Sequence, residues 1–307
     1  VWLKPFSPPL GPAIFPSPRP PPWARPRSRP RRPGRASRQM EPVAHAGAVA
    51  ELVLVCRASW LPRGQRPAGP PREEDYCVCL VEASACSPHL PGATAFPGGE
   101  LDLADVATAR ANVVDGSDHT PLALRITAIR RTFEQAGMVV AGNPPPGFAR
   151  QALQQVLLRD GAAAFPAFLN DWGVALQPDA VESLGSFLVP NARGAIEGAA
   201  RRHFFLAQVP DAAECAWARA GGADVAGLRW LTPAEALRAH AERGIALPPA
   251  HWLVLHAMSA GLRRLSELPA FLASGRVGGL AAPGEPPSTL LPLPAARQAG
   301  EPPSDAG

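Results

Sequence analysis

Five short apolar runs along the chain predict β-strands. The first two, Val49–Cys56 and Tyr76–Val81, lie in the first third of the sequence. The second is apolar and β-branched throughout, which is typical of a strand buried on both faces. Three further strands are predicted over Ser186–Pro190, His203–Val209 and Val225–Leu231. Predicted loops separate the first strand from the second and the third from the fourth, whereas predicted helices lie between the second strand and the third.

The clearest predicted helix extends from Thr120 to Gly137. Thr120 is a good N-cap, and Pro121 suits the first helical position, where its missing N–H is not needed. Gly137 stands where a helix commonly ends. Four apolar residues at i, i+4, i+7 and i+11 form one stripe along this helix, namely Leu122, Ile126, Ile129 and Phe133.

Four more segments predict helices. They are Arg150–Arg159, Phe165–Gly173, Pro248–Leu265 and the segment that begins at Thr232. The last has an N-cap threonine, a proline at the first helical position and the glutamate of a capping box, Glu235.

Composition and charge divide the 307 residues into three parts. Residues 1–38 contain nine basic residues and no acid, a charge of +9, so the remaining 21 basic and 26 acidic residues sum to −5. Proline and glycine dominate both ends, which predicts a disordered leader over 1–45 and a disordered tail over 278–307 around one domain at 46–277. The mildly acidic domain argues against a nucleic-acid partner. No apolar run is long enough to predict a membrane span.

The ends of the sequence bear on location. The Arg-rich, acid-free leader suits a mitochondrial or plastid transit peptide, whereas cytoplasm is the default expectation. The sequence ends Ser304–Gly307, which differs from the Ser-Lys-Leu signal of peroxisomal proteins.

Two motifs flank residues 103–119, which are predicted to be a loop. The first, residues 96–102, reads Phe-Pro-Gly-Gly-Glu-Leu-Asp and follows a turn-rich connector. The second ends the predicted helix, where residues 130–138 read Arg-Arg-Thr-Phe-Glu-Gln-Ala-Gly-Met. Together, in this order, the two motifs resemble the Nudix box, which is a loop–helix–loop of Gly, five residues, Glu, seven residues and then Arg-Glu-aliphatic-x-Glu-Glu-x-Gly-aliphatic.

The two halves of this box are further apart than in the uninterrupted pattern. Gly99 to Met138 is 40 residues where the pattern has 23, so 17 residues are inserted, near 106–119. An insertion at this place resembles the coenzyme A diphosphatase branch of the Nudix hydrolases. Residues 201–206 and 224–237 are similar to later motifs of the same branch, so that the resemblance covers about Ala48 to Leu265.

The resemblance implies a fold and an activity. The fold is an α/β/α sandwich with a mixed sheet and extra C-terminal helices, with helical additions around 150–175 and 248–275. The activity is hydrolysis of a nucleoside diphosphate-linked small molecule, CoA or acyl-CoA among them, with Mg²⁺ or Mn²⁺. The resemblance implies neither a nucleic-acid nor a membrane partner, and the oligomeric state stays open.

The residues of the box carry an unusual charge. A Glu-x-x-Glu-Glu pattern aims three carboxylates at one spot because positions i, i+3 and i+4 share a helix face, and Mg²⁺ prefers such hard oxygen ligands. Here the three positions are Arg131, Glu134 and Gln135, whose net charge is zero. Asp105 stands at the first glutamate of the box, and Asp224 is an acid that a later strand could bring to the metal.

These residues give the candidate site. The catalytic candidates are Glu134 and Asp224, and the metal ligand candidates are Glu134, Asp105 and Gln135. The substrate-binding candidates are Arg130, Gly98, Gly99 and Phe96. Two hypotheses stay open: a Nudix-type hydrolase, and a catalytically impaired Nudix protein that acts as a nucleotide-binding or regulatory module. Glu134 could equally be a surface partner of Arg130, four residues away on the helix.

Overall fold

The computed structural model describes residues 47–66, 74–87, 91–113, 117–140, 144–145, 147–189, 200–222 and 224–279. The predicted leader over 1–45 lies outside these residues, and so does the predicted tail over 278–307 except for its first two residues. Residues 114–116 of the predicted insertion also lie outside them.

Seven strands and nine α-helices make up the described part of the chain. The strands are β1 Ala48–Arg57, β2 Tyr76–Ala83, β3 Thr94–Ala95, β4 Gly98–Glu100, β5 Glu182–Val189, β6 Ala200–Gln208 and β7 Val225–Leu231. The helices are α1 Leu103–Asn112, α2 Thr120–Ala136, α3 Arg150–Asp160, α4 Ala164–Asp171, α5 Ala212–Trp217, α6 Pro233–Ala241, α7 Pro249–Gly261, α8 Leu268–Ala273 and α9 Arg276–Gly279.

The strands form one mixed sheet around β1. Along its main path the order is β3-β2-β1-β6-β5, with β4 paired to β1 and β7 paired to β2. The pairing of β1 with β6 is parallel, and the other pairings are antiparallel. One edge of β1 is shared, since its first residues pair with β4 and its last residues pair with β2. This division brings the glycine loop of the box against the middle of the sheet.

Helices cover both faces of the sheet. On one face, Leu52 and Leu54 of β1 pack in a core with Ile129 and Phe133 of α2 and with residues of α3 and α4. On the other face, alternate residues of β1, such as Val53, pack with α6, α7 and α8. Because β1 is buried on both sides, it is apolar nearly throughout, as is β2. The predicted α/β/α sandwich with a mixed sheet and C-terminal helices is confirmed.

Several boundaries differ from those predicted. Residues 103–112, predicted as loop, form α1, which begins at an N-cap aspartate: Asp102 Oδ1 accepts a hydrogen bond of 2.8 Å from the Ala104 N–H. The helix α2 begins at Thr120 itself, after His119, so Thr120 is not its N-cap. The helix α7 ends at Gly261, where Leu262 turns extended, and not at Leu265. The capping box of α6 forms as predicted, between Thr232 and Glu235.

Within the described ranges, no helix has both the length and the hydropathy needed to span a bilayer.

Candidate functional site

The two halves of the box lie side by side in the structure. The loop half forms β4, which pairs with the start of β1. The Gly98 N–H donates a 2.8 Å hydrogen bond to Oε1 of Gln135 on α2, which ties the loop to the helix. A Cβ atom at Gly98 would stand 2.5 Å from the Ala50 carbonyl oxygen, so only glycine lets the loop pack this closely on β1.

A buried ion pair fixes α1 to α2. Arg130 donates from Nε to Oδ1 of Asp105 at 2.9 Å and from Nη2 to Oδ2 at 2.7 Å. Thr127 also donates to Oδ2, at 2.8 Å, and the side chains of both charged residues are at most 4% exposed. Burial alone would lower the pKa of Arg130, but Asp105 and Glu134 raise it above its ordinary value. Arg130 is therefore permanently charged, and both oxygens of Asp105 are occupied.

Glu134 lies between two guanidinium groups. Its Oε1 accepts from Nη1 of Arg130 and its Oε2 accepts from Nη1 of Arg131, each at 2.6 Å. Both bonds are charge-assisted, the stronger kind of hydrogen bond in proteins. Glu134 is therefore more than a surface partner of Arg130. Its carboxylate is 19% exposed and belongs to a cluster of four charged residues, namely Asp105, Arg130, Arg131 and Glu134. This set of residues is the box cluster below.

Arg131 packs against the glycine loop. A Cβ atom at Gly99 would stand 2.2 Å from its Nε and 2.8 Å from its Nη2, so the guanidinium lies directly over Gly99. Its Nε is buried and has no hydrogen-bond partner among the described residues. The side chain is 27% exposed, so part of this cation remains accessible.

A cleft of about 350 Å³ adjoins the box cluster. Its polar wall comes from the end of α2 and its apolar wall from α3, and glycines at 161, 221 and 222 also line it. The exposed carboxylate of Asp224, just before β7, lines the same cleft. The charged lining residues are Asp102, Arg130, Arg131, Glu134 and Asp224, and Gln135 lies beside them.

The structure thus brings most of the predicted residues together. Arg130, Glu134, Gln135 and Asp224 line one cleft, and Asp105 lies behind it as the partner of Arg130. The predicted substrate-binding residue Phe96 lies elsewhere. It is 2% exposed, in the core on the opposite face of the sheet, with its ring 5.3 Å from that of His251. Because no ligand can reach a buried ring, the structure does not support substrate binding by Phe96.

Gly98 and Gly99 contribute in a different way from the predicted one. Neither lines the cleft. Gly98 lets the loop approach β1, and Gly99 makes room for the guanidinium of Arg131. Both glycines therefore contribute to the packing of the site and not to the lining of the cleft.

The predicted metal ligands Asp105, Glu134 and Gln135 do not fit the divalent cation that the resemblance implies. The oxygens of Asp105 and Glu134 already accept hydrogen bonds from arginine, and Oε1 of Gln135 accepts one from Gly98. Among the described residues, no group of three or more His, Cys, Asp or Glu side chains is arranged to hold a metal ion. The guanidinium of Arg131 adds a fixed positive charge at the helix position where the box has the glutamate that follows its arginine.

A second buried charge cluster lies on the opposite face of the sheet. Glu51 of β1, 3% exposed, bonds to Nη1 of Arg202, and its Oε2 lies 2.9 Å from Nε2 of the fully buried His251. Burial raises the pKa of Glu51, but His251 and Arg202 together lower it below its ordinary value. None of these three residues was predicted from the sequence, although the lone glutamate inside the apolar run of β1 was a signal. They form the sheet-face cluster below.

Comparison with solved structures identifies the fold. A NUDIX hydrolase from Alicyclobacillus acidocaldarius matches with a TM-score of 0.54 and 24% sequence identity, over 69% of this chain and 90% of that chain. The NUDIX domain of Shewanella oneidensis NrtR complexed with ADP ribose also matches, at 17% identity and a TM-score of 0.36 over 71% of this chain and 90% of that chain, too low to carry an argument. The chain therefore has the Nudix fold.

Comparison by sequence shows a similarity to one curated protein. The human acyl-coenzyme A diphosphatase NUDT19 is 26% identical over 295 aligned positions, which cover 75% of this chain and 73% of the relative. No family model matches the chain. The predicted resemblance is confirmed: the chain has the Nudix fold and resembles the coenzyme A diphosphatase branch of the Nudix hydrolases.

Proposed function

We propose that the chain hydrolyses a nucleoside diphosphate-linked substrate of the CoA or acyl-CoA class in the cleft beside the box cluster. The observation that carries the proposal is the position of this cleft, directly against Arg130, Arg131 and Glu134 of the box helix. The similar human protein is named an acyl-coenzyme A diphosphatase, which supports the substrate class.

The two walls of the cleft suit the two parts of such a substrate. The guanidinium of Arg131 can neutralise the diphosphate, because arginine is a good partner for phosphate oxygens. The opposite wall includes Leu157 and Leu158 of α3, and Leu158 is 71% exposed. An apolar residue so exposed at a cleft can contact a base or an acyl chain.

The reaction needs a group that takes a proton from the attacking water. Water adds to one phosphorus, the bridging P–O bond breaks, the leaving phosphate oxygen takes the electron pair, and the proton from water passes to a carboxylate. Glu134 and Asp224 are the candidates. Asp224 is the better one, because its carboxylate makes no hydrogen bond or ion pair with any other described residue, whereas both oxygens of Glu134 are bonded to arginine.

An assay with labelled water tests this proposal. CoA, an acyl-CoA and ADP-ribose are incubated with the full chain in H₂¹⁸O, with and without divalent cation, and the products are analysed by mass spectrometry. We expect ¹⁸O in one phosphate product, and a fall in kcat of about 10²- to 10⁴-fold in Asp224→Asn. Arg159→Gln is the matched control, because Arg159 pairs with Asp160 on the exposed side of α3.

Two outcomes would contradict the proposal. The first is that none of the three substrates is cleaved under any condition. The second is cleavage by an Arg131→Glu/Gln135→Glu variant alone, which would make the natural sequence a binding protein with an intact pocket. That alternative has no support from the relative, whose name is that of an enzyme.

A further inference from the structure

We propose that Arg131 stands in for the cation of the site, so that the cleft binds a diphosphate without a divalent metal. This inference rests on the proposed function, because it concerns how the same cleft holds the same part of the substrate. It follows from the disagreement between the residues present and the metal that the resemblance implies.

The position of Arg131 is the first argument. It lies on α2 among the residues that line the cleft, and it is held in place from two sides. Glu134 Oε2 accepts from its Nη1 at 2.6 Å, and the bare backbone of Gly99 lies beneath its Nε and Nη2. A guanidinium that is already ordered loses little side-chain entropy when it meets an anion.

The hydrogen-bonding capacity of Arg131 is the second argument. A guanidinium has five N–H donors, and among the described residues only its Nη1 donates to a partner. The buried Nε is without a partner there. The other N–H donors of the guanidinium belong to a side chain that is 27% exposed, so a phosphate oxygen in the cleft can accept from them.

The glycine rim of the cleft also favours the binding of a diphosphate. Gly161 and Gly222 have φ values of +76° and +81°, and a Cβ at either would meet nothing within 4 Å. The backbone there is open, so phosphate oxygens can come close to it.

Two carboxylates oppose an anion in the cleft. Asp102 and Asp224 both line it and both are exposed, so water and salt screen their charge more than that of the partly buried Arg131. Their presence provides a test, because the two modes of diphosphate binding predict opposite effects when the charge of Asp224 is removed. If Arg131 holds the diphosphate directly, then removing the charge of Asp224 should not weaken binding. If a metal ion bridges Asp224 to the diphosphate, removing that charge should weaken it.

Isothermal titration calorimetry with ADP and with CoA tests the inference. Each is titrated into the full chain in EDTA and in excess Mg²⁺, with circular dichroism to verify folding of every variant. For the native chain we expect dissociation constants within about threefold of each other in the two buffers. In EDTA, Arg131→Gln should bind about 10- to 100-fold more weakly, as expected for loss of a hydrogen bond from a charged group. The matched control Arg159→Gln should bind as the native chain does, and Asp224→Asn should bind equally or more tightly.

The other outcomes overturn the inference in distinguishable ways. Binding that requires Mg²⁺, and that weakens in Asp224→Asn, contradicts the inference and leaves the proposed function standing. Native-like binding by Arg131→Gln in EDTA also contradicts it, because the cleft then holds the ligand without this residue. No binding of either ligand in either buffer contradicts the proposed function itself.

Discussion

The box cluster and the sheet-face cluster contain similar charged groups in different surroundings. The box cluster and the sheet-face cluster each place a carboxylate between two basic side chains. The sheet-face cluster is enclosed by aromatic rings, with His251 stacked on Phe96 and edge-on to Phe204. The box cluster instead opens on a cleft through Arg131 and Glu134. Only the box cluster therefore presents charged groups that a ligand in the cleft could contact.

Within the box cluster, two layers of charge can be separated. The inner layer is the pair of Arg130 and Asp105, which is almost fully buried. The outer layer is Arg131 with Glu134, which is partly exposed. The inner layer fixes α1 to α2, and the outer layer contains Arg131, which stands where the Nudix box has a glutamate. The variants below separate these layers from each other and from the sheet-face cluster.

The largest effect is expected from the inner layer. In Arg130→Met the carboxylate of Asp105 stays buried without its partner, and the free energy of unfolding should fall by about 3–5 kcal/mol. The double variant Arg130→Met/Asp105→Asn should recover a large part of this loss, because no unpaired charge is left behind. Urea denaturation of both measures the difference. Equal losses in the single and double variants would mean that the pair is not the structural element we describe.

A smaller, pH-dependent effect is expected from the sheet-face cluster. Because the folded protein lowers the pKa of Glu51 from its ordinary value of 4.5, ionised Glu51 stabilises the fold above that pH, and the contribution is lost as the pH falls through the folded value. Near neutral pH, Glu51→Gln should therefore cost about 1.5–3 kcal/mol, as for hydrogen bonds to a charged group. This difference from the native chain should shrink in denaturation curves taken below pH 4.5. A difference that grows as the pH falls would contradict the claim that ionised Glu51 stabilises the fold.

Alanine substitutions at the two loop glycines should have different effects, one on stability and the other on ligand binding. A methyl group at Gly98 meets the backbone of Ala50 and Glu51 at 2.5 and 2.6 Å, so Gly98→Ala should cost about 1–3 kcal/mol of stability through overpacking. At Gly99 the methyl group meets only the side chain of Arg131, which can move. Gly99→Ala should therefore melt close to the native chain yet bind ADP more weakly in EDTA. Thermal denaturation and calorimetry on the two variants make the comparison, and native-like ADP binding by Gly99→Ala would speak against the role of Arg131.

The smallest effect is expected at Gln135. Its Oε1 accepts one hydrogen bond, from Gly98, so Gln135→Ala should lower the free energy of unfolding by about 0.5–1.5 kcal/mol. Gln135→Glu keeps an acceptor at the same place and serves as the control. A loss in Gln135→Ala as large as that in Arg130→Met would show that the loop, and not the ion pair, holds the box together.

The sequence was most informative where periodicity or capping decides the structure. The strands β1, β2 and β7 and the helices α2, α3 and α6 lie where the apolar runs, Gly137 and the capping box of Thr232 placed them. The strands β3 and β4 were missed because two or three residues carry no periodicity. The helix α1 was missed because it lies in an insertion and buries few residues, namely Asp105, Val106 and Ala109.

Only part of the site could be predicted from the sequence. Spacing on α2 placed Arg131, Glu134 and Gln135 on one face, and the structure puts all three at the cleft. Spacing could not show that Asp105 would accept from Arg130 with both oxygens, because the two residues are 25 positions apart and lie on different helices. Phe96 adjoins the glycine loop in sequence but turns to the opposite core, since successive residues of an extended chain point to opposite faces.

A crystal structure of the chain with ADP and Mn²⁺ tests the central claim most directly. Anomalous scattering locates manganese, and the map locates the guanidinium of Arg131. We predict a phosphate oxygen within hydrogen-bond distance of Arg131, about 3 Å, and no manganese bound to Glu134. Manganese on Glu134, with Arg131 displaced from Gly99, would contradict the account.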